Sequence, residues 1–122
     1  LKIGVFGLSP ELDGLVVKEN YGPLKYLDPI ACAQKCINEL QKKKCDLIIC
    51  ISHLGINIEG ISDEEVVAGT RGIDLILGGH SHTFLKKLVY VKDLDGREVG
   101  IDQNGKSGIF VGKMVLDLEK KK

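Results

Sequence analysis

Short runs of apolar residues divide the first part of the chain and predict buried β-strands. The runs are residues 2–8, 47–51 and 74–77. Because the second run is apolar at every position, we expect helices to cover both faces of the sheet there. Longer segments separate the runs, so right-handed crossovers would make the strands parallel in one sheet.

Two helices are predicted between these strands. Asp28 supplies an N-cap carboxylate, Pro29 suits the first helical position, and apolar residues then recur at helical spacing to about residue 43. Ser62 and Glu65 have the spacing of a capping box, which predicts a second, shorter helix. The chain therefore begins with the order strand, helix, strand, helix, strand.

The pattern changes after Phe84, where polar and apolar residues begin to alternate. Asp95 and Gly96 are typical of a hairpin turn, so the chain should fold back there as antiparallel strands. Residues 109–116 predict a final extended stretch. Residues 9–27 lack a clear period and predict a long loop. The predicted class is α/β, with about three parallel strands and two helices followed by antiparallel strands.

The composition excludes several classes of function. The 122 residues fit one domain, and Lys plus Arg number 17, as do Asp plus Glu, so the net charge is zero. No basic excess indicates nucleic-acid binding, and no apolar run reaches the roughly 20 residues of a membrane span. The lysines at 120–122 are interpreted as a solvated tail.

The four cysteines are interpreted as small buried hydrophobic residues. They stand at positions 32, 36, 45 and 50. No Cys-x-x-Cys pair indicates a zinc knuckle, and a chain with this much aliphatic core does not need a disulfide framework. The cysteines therefore leave the cellular compartment open.

All three histidines of the chain follow predicted strands. His53 follows the run 47–51, and His80 and His82 follow the run 74–77 through two glycines that permit positive φ and a close backbone approach. Open α/β sheets place their chemistry at the carboxyl ends of the strands. Imidazole is a common ligand of first-row metals, and an extended His-x-His would direct both rings to one side. A metal site is one interpretation, and structural histidines are the other.

Three motif-bearing segments occur in a fixed order along the chain. They are residues 2–8, residues 46–55 with Ser-His-Leu-Gly, and residues 72–84 with Gly-Gly-His-Ser-His. Together they resemble the calcineurin-like metallophosphoesterase domain of bacterial 5′-nucleotidases and UDP-sugar hydrolases. The resemblance implies hydrolysis of nucleotide phosphate esters by two divalent cations, such as zinc or manganese. It also implies that His53 and His80 bind one metal ion and His82 the other.

The resemblance covers only the second half of that catalytic domain. The first half carries Asp-x-His, Gly-Asp and Gly-Asn-His motifs, and none of these occurs here. We therefore interpret residues 1–122 as a single partial domain, half of a four-layer α/β/β/α sandwich, inactive alone and lacking its N-terminal half. The position of the only methionine, Met114, agrees with a chain that is part of something longer.

Two other functions remain open at this point. A degenerate phosphoesterase-like module could serve binding or assembly without catalysis, and a small metal-binding domain could act as it stands. A missing half would also leave apolar surface uncovered, which predicts self-association. Members of the family are often periplasmic or extracellular, and the resemblance does not fix the compartment of this chain.

Overall fold

A five-stranded sheet organises the computed structural model, which describes residues 1–119. The strands are β1 (Ile3–Leu8), β2 (Leu47–Ser52), β3 (Leu75–Leu77), β4 (Val89–Lys92) and β5 (Glu98–Asp102). Their order in the sheet is β1-β2-β3-β5-β4, and every neighbouring pair is parallel except β4 with β5. The predicted α/β class is confirmed. One detail differs, because β5 pairs with β3 in parallel as well as with β4 in the hairpin.

The two predicted helices begin where their capping residues place them. They are α1 (Lys18–Tyr21), α2 (Pro29–Lys42) and α3 (Asp63–Ala68). The Asp28 carboxylate accepts a hydrogen bond of 3.0 Å from the Ile30 amide at the start of α2. Ser62 and Glu65 form both hydrogen bonds of the predicted capping box. Helix α1 interrupts the predicted loop at 9–27. Within residues 1–119, no helix combines the length and apolar character that a membrane crossing requires.

The core lies between the helices and one face of the sheet. Phe6 of β1, Cys50 of β2 and Ile76 of β3 are buried there, in one cluster with Ala33 and Ile37 of α2. A Cβ atom on Gly4 would lie 3.0 Å from the Leu40 side chain of α2, so the helix packs directly on the backbone of β1. Burial of these side chains supplies the main stabilising free energy of the fold.

The opposite face of the sheet is apolar and partly uncovered, since Leu47 and Leu75 on this face are only 7% and 5% exposed while their neighbours are open to solvent. We call this surface the bare sheet face and define it by Ile3, Val5, Ile51 and Leu77, whose exposed fractions are 50%, 52%, 56% and 38%. Successive side chains along a strand point to opposite faces, so the apolar run at 47–51 supplies both the core and this surface. The expectation that helices cover both faces is wrong.

The segment after β5, predicted as a final extended stretch, adds no strand to the sheet. Residues 109–116 pair with no strand of the sheet. Phe110 instead stacks on Phe84, with ring centroids 4.1 Å apart. Side-chain stacking therefore holds this segment against the loop that precedes β4. The lysine tail predicted at 120–122 lies outside the described residues.

Candidate metal centre

His53 lies directly after β2, at the carboxyl edge of the parallel strands. Its backbone amide donates a hydrogen bond of 2.9 Å to the carbonyl of Leu8, the last residue of β1. The Ser52 hydroxyl accepts a hydrogen bond of 3.1 Å from the Leu54 amide, which closes a tight turn around His53. These contacts fix the backbone of His53, while its side chain stays exposed.

Gly78 and Gly79 carry the chain from β3 toward His53. The Gly78 amide donates a hydrogen bond of 2.8 Å to the carbonyl of Asp102, so β3 stays tied to β5 up to this point. A Cβ atom on Gly79 would lie only 3.2 Å from Nδ1 of His53. Glycine at position 79 thus permits the close approach of its backbone to the imidazole.

The His80 to His82 segment is bent rather than extended. His80 has φ 71° and His82 has φ 55°, a left-handed conformation that few residues other than glycine adopt. The two preceding glycines are not among the positive-φ residues. The expectation of an extended His-x-His with both rings on one side is therefore wrong. Strained backbone of this kind is concentrated at functional sites.

The bend brings His80 against His53. Their ring centroids are 5.2 Å apart and the ring planes meet at 61°. Two imidazoles that bind one tetrahedral metal at about 2.1 Å would have centroids about 5 Å apart, so this separation fits a shared ion. The third histidine, His82, is exposed. Among residues 1–119, no three His, Cys, Asp or Glu side chains converge as a metal-binding group.

Side-chain hydrogen bonds hold the histidine bend to its neighbours. Gln103, which follows β5 and is 1% exposed, accepts hydrogen bonds from the Thr83 amide at 2.6 Å and the Ser81 hydroxyl at 3.1 Å. The Ser81 oxygen also accepts a hydrogen bond of 3.1 Å from the Ile56 amide, in the loop after His53. Ser81 and Gln103 therefore link the segments that follow β2, β3 and β5.

A buried carboxylate lies under the same bend. Asp63, the first residue of α3, is 0% exposed, and neither of its oxygens has a hydrogen-bond partner among the described residues. Burial raises the pKa of Asp63 to about 6, and Glu64 adds to the rise, while the nearby Ser52 hydroxyl, which does not meet hydrogen-bond geometry, acts in the opposite direction. The sequence placed Asp63 in an ordinary acidic first turn. No local sequence signal marks its burial, which follows from the tertiary contact with Gly78.

The segment 9–27 forms a wall beside the two imidazoles. Ser9, Pro10 and Leu15, with His53 and His80, line a depression of about 330 Å³. An adjoining depression of about 400 Å³ is also lined by His80, together with acidic side chains of this segment. The imidazole pair therefore opens onto surface concavities large enough for part of a small molecule.

No family model matches the chain, whereas individual proteins do. The trifunctional nucleotide phosphoesterase protein YfkN of Bacillus subtilis is 31% identical over 121 residues, which cover 98% of this chain and 8% of that protein. The 5′-nucleotidase of Vibrio cholerae is 37% identical over 91 residues, or 66% of this chain and 16% of that protein. The chain thus spans a small part of the length of the curated relatives it matches.

Two solved structures share the fold. The crystal structure of the 5′-nucleotidase precursor of Thermus thermophilus matches with a TM-score of 0.61 and 33% identity, over 67% of this chain and 18% of that one. The NAD nucleotidase NadN of Haemophilus influenzae matches with a TM-score of 0.67, over 83% of this chain and 20% of that one. At 23% identity, the second likeness concerns the fold alone.

Proposed function

Because the chain is homologous to proteins of the 5′-nucleotidase family over most of its length, we propose that it is part of a metal-dependent phosphoesterase acting on nucleotide phosphate esters. It forms the second half of the catalytic domain and is inactive alone. The observation that carries this proposal is the approach of His53 and His80, at 5.2 Å between ring centroids, at the carboxyl edge of the sheet. That edge is where open α/β sheets bind their ligands.

The three histidines are the proposed metal ligands of this half. His53 and His80 would share one divalent cation, and His82 would contribute to a second. Such cations neutralise phosphate oxygens and activate the attacking water. Within this chain, Leu8 and Gly79 hold His53 in place, and the bend after Gly79 turns His80 toward it. The remaining ligands would come from residues outside this chain.

The bare sheet face is the proposed contact for the rest of the domain. Ile3, Val5, Ile51 and Leu77 are apolar and exposed. The registers place them on one face of the sheet, because Ile51 pairs with Leu77 and Val5 pairs with Ile49, two residues before Ile51. A second sheet that packs here would bury them at about 10 Å between the sheets, as in other sheet-on-sheet packings. This packing would produce the four-layer sandwich, with the motifs of the first half facing the histidines.

Hydrolysis measurements on two proteins test the proposal. The 122-residue chain alone should not hydrolyse AMP above background with Zn²⁺ or Mn²⁺, whereas the full-length protein should. His53→Ala and His80→Ala should each remove that activity from the full-length protein, and Lys42→Ala, at the far end of α2, should leave it intact. AMP turnover by the chain alone, or full activity in both histidine variants, would contradict the proposal.

A second candidate function is a phosphoesterase-like binding or assembly module without catalysis. The small number of possible metal ligands favours this function. Among the described residues, only two imidazoles approach each other, and no third ligand joins them. The two candidates differ in the full-length protein. A module of this kind would bind its partner but would neither hydrolyse phosphate esters nor lose function when His80 is replaced by alanine.

A further inference from the structure

The surroundings of Gly78 contain a buried acid and a buried amide. A Cβ atom at this position would lie 2.6 Å from Oδ2 of Asp63 and 3.5 Å from Nε2 of Gln103. Asp63 is 0% exposed and Gln103 is 1% exposed. Neither the Asp63 oxygens nor the Gln103 Nε2 has a hydrogen-bond partner within residues 1–119. A carboxylate accepts and an amide nitrogen donates, so the two groups are chemically complementary.

Each of these residues is also anchored to a loop that carries a histidine. The Asp63 amide donates a hydrogen bond of 2.8 Å to the Gly55 carbonyl, two residues after His53. The side-chain oxygen Oε1 of Gln103 accepts hydrogen bonds from the Ser81 hydroxyl and the Thr83 amide, which flank His82. The acid therefore belongs to the His53 side of the site and the amide to the side of His80 and His82.

Capping of α3 does not account for the burial of Asp63. Ser62 and Glu65 already make the reciprocal hydrogen bonds that cap this helix. An acidic side chain in the first turn of a helix is stabilised by the helix dipole even at the protein surface. Burial adds no such stabilisation and removes the hydration of the carboxylate. Its position against Gly78 therefore needs another explanation.

We propose that Asp63 and Gln103 are positioning residues that act together beneath Gly78 to hold His53 and His80 in their paired geometry. Asp63 lies against Gly78 from the segment that follows His53, and Gln103 lies against Gly78 while it holds Ser81 and Thr83, so each side chain restrains one of the two segments that supply the imidazoles. The importance of this geometry for metal binding rests on the proposed function. The geometry itself can be tested without any metal.

The first test is NMR of the imidazole rings in the 122-residue chain without metal. With ¹⁵N- and ¹³C-labelled histidine, the chain should show a contact between the rings of His53 and His80. Asp63→Ala and Gln103→Ala should each weaken this contact and shift both sets of ring resonances, although far-UV circular dichroism stays that of the folded chain. Asp93→Ala, the same change at another buried aspartate, located at the turn between β4 and β5, should leave both rings unchanged.

Two further variants keep the test decisive. If an alanine variant does not fold, Asp63→Asn and Gln103→Met approximately preserve the side-chain size without adding a second buried carboxylate, and each should shift the same ring resonances. Unchanged imidazole signals in every folded variant would overturn the proposal, because a merely structural role would lower the melting temperature and leave the ring geometry of the folded chain alone.

Zinc titration separates this proposal from the proposed function. In the full-length protein, Asp63→Ala and Gln103→Ala should each weaken Zn²⁺ binding about tenfold, as loss of residues that orient metal ligands commonly does. A full-length protein that binds no Zn²⁺, but whose imidazole contact still depends on Asp63 and Gln103, would contradict the proposed function and support the positioning role. Normal Zn²⁺ binding in both variants would contradict the positioning role alone.

Discussion

Gly79 approaches His53 so closely that a Cβ atom there would lie 3.2 Å from Nδ1 of the imidazole. The contact joins the end of β3 to the residue after β2. Gly79 does not have a positive φ, so backbone conformation does not require glycine at this position. The close contact with His53 does. The glycine leaves room for the ring, and the positive φ values fall instead on His80 and His82.

Gly79→Ala should disturb His53 with little loss of stability. The added methyl group would press on the imidazole and displace it by a few tenths of an ångström, at a cost of up to about 1 kcal/mol in the free energy of unfolding. NMR should show shifted His53 ring resonances, and urea unfolding should give the stability. Gly7→Ala is the control, because its Cβ atom would make only an ordinary contact of 3.6 Å with the Ile51 carbonyl. Unshifted His53 resonances in Gly79→Ala would contradict the prediction.

Gly78→Ala should destabilise the fold through Asp63. A Cβ atom at position 78 would overlap Oδ2 at 2.6 Å, and overpacking of this kind typically costs about 1–3 kcal/mol. Removal of the carboxylate in Gly78→Ala/Asp63→Ala should relieve the overlap. The double variant should therefore lose less stability than the sum of the two single variants in urea unfolding.

Gly100→Ala serves as the control for that double-mutant cycle. Gly100 is also buried in the sheet, but its Cβ atom would lie 3.5 Å or more from its neighbours, and it makes no contact with Asp63. Its combination with Asp63→Ala should be additive. If the stability losses of Gly78→Ala and Asp63→Ala were also additive, the contact between position 78 and the Asp63 carboxylate would have no energetic effect.

Asp63 should make the stability of the chain depend on pH. Burial raises its pKa from 3.8 to about 6, so the folded chain holds this proton more tightly than the unfolded chain. The resulting stabilisation is fully present below about pH 4 and is lost as the pH rises through about 6, with a loss on the order of 3 kcal/mol at about 1.4 kcal/mol per pKa unit. Asp63→Asn resembles the neutral acid and should lack this loss.

The measurement is urea unfolding of the unsubstituted chain and of Asp63→Asn. It is made at about pH 4.5 and about pH 7.5, on either side of the raised pKa. From about pH 4.5 to about pH 7.5, Asp63→Asn should become more stable relative to the unsubstituted chain. Only the unsubstituted chain has to ionise a buried carboxyl group over this range. A difference between the two proteins that is the same at both pH values would mean that Asp63 does not titrate in this range.

Local sequence patterns predicted the elements that position the imidazole pair. The Asp28-Pro29 start of α2 and the Ser62-Glu65 capping box depend on contacts within a few residues, so their signals can be read directly. The placement of His53 after β2 followed from the apolar run before it. Strand periodicity and capping therefore account for most of the fold.

The burial of Asp63 and the bareness of one sheet face could not be predicted in this way. Three consecutive acids at 63–65 are the ordinary pattern of an exposed helix start, and only the contact with Gly78, distant in sequence, reveals that the first acid is buried. Similarly, the apolar run at 47–51 predicts that both faces of the strand avoid water. It does not predict which part of the protein covers each face. Both features are set by tertiary contacts, which local patterns do not encode.

The bare sheet face should cause the 122-residue chain to self-associate. Ile3, Val5, Ile51 and Leu77 expose adjacent apolar surface, and its burial is worth about 25 cal/mol per Å², so contact between two copies is favourable once enough area is covered. Analytical ultracentrifugation should show dimers or larger species whose fraction rises with concentration.

Val5→Lys/Ile51→Lys should shift the distribution to monomer, because two lysines would have to be desolvated in the contact. Leu94→Lys, at the exposed turn between β4 and β5, adds a charge outside this face and should leave association unchanged. A monodisperse monomer of the unsubstituted chain across the concentration range would contradict both this prediction and the packing of a second sheet on this face.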